Sequence, residues 1–146
     1  MNIWQWWWNL WKPPPVPGSG PTQVPNSLIT DVFNELNLLR NKNGLSPFKN
    51  DEGMRVKAQS HSVDMAKALQ LSHTGFPDRV ESVHPNTRAA EDVEYNSRTT
   101  AVLIVQQWAQ SAPHLRNILG DYNLIGLGAA TGSDNNDYWT AVFDYF

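Results

Sequence analysis

The sequence predicts a single α/β domain. Three stretches carry apolar residues at helical spacing, and the C-terminal stretch alternates every second residue as a strand does. The length of 146 residues suits one hydrophobic core. Residues 27–43 form the first expected helix, with Leu28, Val32, Leu36 and Leu39 on one face and Gly44 as a left-handed stop. Asn50 is placed to cap a second helix running to about Leu69, with Met54, Ala58, His61, Met65 and Ala68 along its inward stripe. Residues 70–98 show little periodicity and several breakers, so they read as a long loop with one short strand near Asp92–Tyr95. A third helix over 99–111 turns Ala101, Ile104, Val105 and Trp108 inward. Pro113 then suits the first turn of a short helix ending at Leu119. Residues 124–130 and 138–145 read as strands joined by a polar hairpin tip, with Trp139, Ala141, Phe143 and Tyr145 alternating onto one face.

Composition narrows the function classes. Apolar residues make up 40% and charged residues 17%, which fits a globular chain rather than a disordered one. Net charge is −3 and the cations are scattered, so the basic stripe that a nucleic-acid surface needs is missing, and no nucleic-acid partner is expected. There is no cysteine, which removes thiolate catalysis, disulfides, Cys-ligated zinc and iron–sulfur clusters. No run reaches the roughly 18 apolar residues of a membrane span.

The N-terminus divides from the rest. Trp4, Trp6, Trp7, Trp8 and Trp11 crowd residues 1–12. The first cation, Lys12, follows the apolar run instead of preceding it, and Gln5 and Asn9 interrupt that run, so it does not read as a cleavable signal. Tryptophan favours membrane–water boundaries and anchors protein interfaces. The segment therefore reads as an anchor on a membrane surface, a docking element for a protein partner, or a tail folded back on its own domain. Residues 13–25 hold Pro13, Pro14, Pro15, Pro17, Pro21 and Pro25 and read as a polyproline-type spacer. The domain is expected over 26–146.

Several polar residues carry potential chemistry. His73 precedes Thr74–Gly75 in the long loop, where an imidazole can titrate, ligate a metal, or serve as a capping or surface group. Glu91 sits among Ala89, Ala90 and Val93, and a carboxylate in apolar company must be paired or functional. Ser111 and His114 lie three apart around a helix start. Ser111 reads as an N-cap, with a Ser111–His114–Glu91 hydrolytic set as the weaker reading because no nucleophile elbow surrounds the serine. His61 falls on an apolar stripe and reads as a satisfied core group, and His84 reads as solvated. Asp134 to Asp137 offer oxygen ligands but lack the later bidentate Glu of a calcium loop.

Four colinear blocks resemble the CAP family of cysteine-rich secretory, antigen 5 and pathogenesis-related proteins, in its bacterial, cysteine-free form. They are Leu45–Ser46–Pro47–Phe48 with the following helix, Leu71 to Gly75 with Pro77 to Val80, Ala90 to Val93, and Trp108 through Ser111–Ala112–Pro113–His114–Leu115–Arg116–Asn117–Ile118–Leu119 to the two final strands. The resemblance implies an α-β-α sandwich with a central, mostly antiparallel sheet. It also implies a cleft at His73, Glu91 and His114, where some members hold a divalent metal. Zn²⁺ or another divalent ion is the implied cofactor, with His73, His114 and Glu91 as ligands. The chain departs from the family pattern at Asp92 (usually Asn), Ala90 (usually Gly), Ala141 (usually Gln) and Ser111 (an acid in eukaryotic relatives). The resemblance implies either of two roles, with lipid or sterol binding in some relatives and proposed peptidase activity in others. The leading expectation is an extracellular binding or scaffold domain, tethered by its tryptophans to a membrane, envelope or larger particle, with a His/Glu cleft for a divalent metal or small ligand. The alternative is a peptidase- or esterase-like hydrolase using His73, Glu91, His114 and Ser111.

Overall fold

The computed structural model describes residues 20–146, so the tryptophan segment and most of the spacer, with the roles expected of them, lie outside the described residues. In chain order the elements are β1 (Thr22–Gln23), α1 (Asn26–Lys42), β2 (Lys49–Asn50), α2 (Glu52–Ala68), α3 (Asp78–Glu81), β3 (Arg88–Ser97), α4 (Ala101–Gln110), α5 (Ala112–Ile118), β4 (Leu124–Thr131) and β5 (Asn136–Tyr145). The sheet runs β1-β4-β5-β3, antiparallel throughout, with β2 joining the outer edge of β4 in parallel. Helices cover both faces, which makes the α-β-α sandwich.

The two faces are built differently. Ile125, Leu127 and Ala129 of β4 and Trp139, Ala141 and Phe143 of β5 point to the α1, α4 and α5 layer, where Val32, Leu36, Ile104, Trp108 and Ile118 complete the larger core. On the other face α2 lies directly against β4. A Cβ at Gly126 would stand 2.4 Å from the Met54 carbonyl carbon, and one at Gly128 would stand 2.4 Å from the Gln59 nitrogen, so only glycine lets helix and strand meet at this distance. Tyr138, Thr140 and Val142 are also buried, so β5 is covered on both faces rather than half-buried. Tyr145, at its end, is exposed.

Several local expectations change. Asp51, not Asn50, caps α2, accepting from the Met54 N–H at 2.8 Å. Asn50 instead pairs with Ile125. The stretch read mainly as loop contains the ten-residue β3, whose alternation is hidden because Glu91, Asp92 and Val93 are all buried. The sheet begins inside the expected spacer: β1 ladders with Ala130 and Thr131, and Val24 is fully buried in the core. His84 is not solvated, because its Nε2 lies 2.9 Å from Asp51 Oδ2 and its ring stacks on Phe146. His61 is satisfied as expected, with Nε2 2.5 Å from the Ser72 carbonyl oxygen.

Arg40 is a buried cation the sequence did not reveal. It donates to the carbonyls of Ser46, Ile118, Gly120 and Tyr122 at 2.7–3.1 Å and lies over the Phe48 ring. One side chain thereby holds the end of α5 and the approach to β4 against α1, satisfying carbonyls that would otherwise be orphaned.

Candidate functional site

Glu91 is the fixed point of the site. β3 pairs Glu91 with Val142 in the middle of the β3–β5 ladder, which fixes its backbone and turns the carboxylate to the α2 face. Its side chain is 1% exposed, and a carboxylate there requires compensation. Two groups from the preceding loop and α3 provide it. His73 Nδ1 lies 2.9 Å from Oε1, and the Arg79 Nε donates to Oε2. Arg79 Nη2 also donates to the Thr74 carbonyl at 2.6 Å, which ties the guanidinium to the loop that carries His73. Within that loop the Ser72 hydroxyl accepts from the Thr74 N–H at 2.9 Å and donates to the Thr74 hydroxyl. The loop is thus pinned at Ser72, Thr74 and Arg79, and His73 is held in one orientation.

The His73 ring is 56% exposed at the side chain, and its second nitrogen, Nε2, makes no hydrogen bond among the described residues. A carboxylate on Nδ1 fixes the tautomer and orientation of an imidazole whose other nitrogen is open. His114, in the first half of α5, approaches from the other side of the β3 edge. Its Nδ1 is buried without a partner among the described residues, and burial, then the charge of His73, pushes its pKa below the ordinary imidazole value. His114 is therefore neutral at physiological pH.

Ser111 sits at the junction of α4 and α5. Its carbonyl accepts from the Leu115 N–H, but its hydroxyl makes no capping bond and none to His114. The side-chain N-cap expected of it does not form. The hydrolytic set is not assembled either, since a nucleophile within reach of its base is the first geometric requirement.

Asp92 points from β3 to the α5 face and accepts from Asn117 Nδ2 at 2.7 Å, while its Oδ2 has no partner among the described residues. Burial, together with the charges of Glu94 and Glu91, pushes its pKa to about 7 against the pull of the Asn117 bond. Glu94, on the same face, is also pushed to about 7 by burial. Beside them the indole nitrogens of Trp108 and Trp139 are buried without partners among the described residues. The strand thus carries a carboxylate paired with a cation on one face and, on the other, two that have only an amide each, from Asn117 and Gln107, among the described residues.

These contacts bear on the three-ligand metal site expected at His73, His114 and Glu91. Both oxygens of Glu91 are committed, one to a guanidinium that would repel a cation. Among the described residues no three His, Asp or Glu side chains gather as a metal-holding group. The donor set does not fit that site, and Glu91 acts instead as the orienting partner of His73. Arg79 is the residue sequence reasoning passed over. The signal was present, because a carboxylate predicted to be buried demands a cation, and Arg79 is the one cation in its block.

The model of the cysteine-rich secretory protein (CAP) family matches residues 33–143, which include His73, Arg79, Glu91, Ser111 and His114. A search of curated protein sequences returns no significant match. Among solved structures, an outer surface protein of Borrelia burgdorferi superposes with a TM-score of 0.72 at 18% identity, over 86% of this chain and 98% of that one. An extracellular SCP-domain protein of Bacillus anthracis gives 0.69 at 23% identity, over 83% of this chain. A cysteine-rich secretory protein of Staphylococcus aureus gives 0.68 at 16%, again over 83%. The chain spans 41% and 39% of the length of these last two proteins. At these identities the likeness is one of fold.

Proposed function

The chain belongs to the CAP family, and from that premise we propose that it is an extracellular binding domain whose cleft between His73 and His114 takes a small polar ligand, and whose tryptophan segment tethers it to a membrane surface. The observation that carries the reading is the Arg79–Glu91–His73 arrangement. It spends three side chains on presenting one imidazole nitrogen outward, while among the described residues neither histidine has a hydroxyl bonded to it. A preorganised donor or acceptor without a nucleophile serves recognition rather than acyl transfer. Extracellular placement is supported by two of the structural relatives, one an outer surface protein and one an extracellular protein. The membrane tether is supported by the five tryptophans within residues 1–12.

Vesicle flotation combined with turnover of casein and p-nitrophenyl acetate tests the reading. The full chain is expected to float with phosphatidylglycerol-containing vesicles and to lose this when the five tryptophans become Ser. Hydrolysis is expected to stay at background. Turnover abolished by Ser111→Ala or His114→Ala would replace the binding reading with the hydrolase, and failure to float would remove the tether.

A further inference from the structure

The unpaired edge of the sheet is on β3. The strand order ends there, and among the described residues β3 pairs with β5 alone. Backbone groups along an antiparallel strand alternate in direction. Asn123 and Ile125 send their carbonyls to Lys49 and Asp51 on the far side of β4, so the even-numbered residues of β4 face β5. The registers of Gly126 with Val142 and of Asp92 with Ala141 carry the alternation across, and the even-numbered residues of β3 face β5 in turn. Ala89, Glu91, Val93, Tyr95 and Ser97 therefore turn their N–H and C=O groups outward. Among the described residues none of these backbone groups has a partner.

Access differs along this edge. Around Glu91 it is flanked by the His73 loop on one face and by α5 on the other, where Asn117 reaches Asp92. Beyond Val93 it is open, and Tyr95 is 51% exposed. On the α2 face Val93 clusters with Met65 and Leu71, and these two also line a cavity of about 410 Å³. Asp64 is the one carboxylate lining that cavity. It is exposed and has no hydrogen bond or ion pair among the described residues.

We propose that the Val93–Ser97 edge of β3 binds an extended, basic segment of a partner protein as an added strand. The segment's residue opposite Val93 exchanges both backbone hydrogen bonds with it, and the residue two positions away does the same with Tyr95. Cross-strand neighbours share a face of the sheet, so the side chain opposite Val93 falls on the side of Leu71 and the Asp64 cavity. A Lys or Arg fits this position, with its methylene stem along Ala68 and Leu71 and its cation at Asp64. The side chain opposite Tyr95 lies beside an exposed ring and is apolar. A second copy of β3 is a poor occupant. Glu91, Asp92 and Glu94 would meet the same three carboxylates across the new ladder, and opposed like charges destabilise it. The site uses none of His73, Glu91 and His114 and stands independently of their cleft.

Titration of the ¹⁵N-labelled full chain with the peptide Ac-Val-Thr-Lys-Thr-Val-NH2, which reads alike in both strand directions, tests the proposal. In the free chain the Val93 and Tyr95 amides are expected to exchange quickly with solvent, while those of Asp92 and Glu94 are protected by β5. The peptide is expected to shift the Val93 and Tyr95 amides saturably and to slow their exchange. Methylating the backbone nitrogen of its Lys removes the central donor and is expected to abolish binding. Asp64→Asn is expected to weaken the Lys peptide about fivefold, the loss of one exposed charge pair, and to leave a Leu-centred peptide unchanged. The proposal is overturned if Val93 and Tyr95 do not respond at ~20 mM peptide, an affinity below the useful range of a docking site. It is also overturned if the methylated peptide binds equally, or if Asp64→Asn affects both peptides alike. Protection of Val93 and Tyr95 without peptide overturns it too: a second copy covers the edge if protection grows with protein concentration, and the chain's own N-terminal segment if it does not.

Discussion

Replacing Asp92 by Asn should stabilise the domain above neutral pH, and the size of the effect follows from the burial of Asp92. Asp92 is 1% exposed, has one hydrogen bond among the described residues, from Asn117, and shares its face of β3 with Glu94. Folding raises its pKa from 3.8 to about 7. The folded state therefore holds the proton more tightly than the unfolded chain, so stability is greatest below the unfolded value and declines as pH rises toward the folded one. At ~1.4 kcal/mol per pH unit the ionised form carries a penalty of roughly 4 kcal/mol above pH 7, an upper bound because part of the shift comes from the charge of Glu94 and the site can relax. An asparagine keeps the acceptor for Asn117 and never ionises. Urea unfolding followed by far-UV circular dichroism from about pH 4 to pH 8 reads the difference directly. Asp92→Asn should gain about 2–4 kcal/mol over the parent at the alkaline end and converge with it at the acid end. A variant that gains nothing at pH 8, or the same amount at every pH, would falsify the claim that an uncompensated charge resides at Asp92.

Two further outcomes test the frame around the site. A chain beginning at Asn26 should melt below one beginning at Gly20, because it loses β1 and the buried Val24, whose apolar burial alone is worth about 1.5–3 kcal/mol; equal melting curves would return β1 to the spacer. Arg79→Ala should cost about 3–5 kcal/mol by leaving the Glu91 carboxylate buried beside a single half-exposed histidine. Arg79→Ala combined with Glu91→Gln should recover much of that loss, and a double variant as unstable as the single one would show that Arg79 acts through packing rather than charge.

The helices were legible because each repeats apolar residues at its own period: Val32 and Leu36 in α1, Ile104 and Trp108 in α4 all occupy the faces their spacing assigns. The candidate residues His73, Glu91 and His114 were legible by type and motif, and their roles were not. Whether Glu91 ligates, catalyses or orients depends on what lies within 3 Å of it, and Arg79 arrives from twelve residues away through a turn that no local pattern encodes. β3 escaped for a related reason. Its alternation rule presumes one wet face, whereas Glu91 and Asp92 are buried on opposite faces by layers brought from elsewhere in the chain. The sequence by itself determined which residues seek burial and which local geometry they prefer. The tertiary structure alone decided which charges are compensated, because compensation is a matter of distance between segments. That is why adjacent carboxylates on one strand end with opposite fates, Glu91 held between a cation and a histidine and Asp92 left to keep its proton.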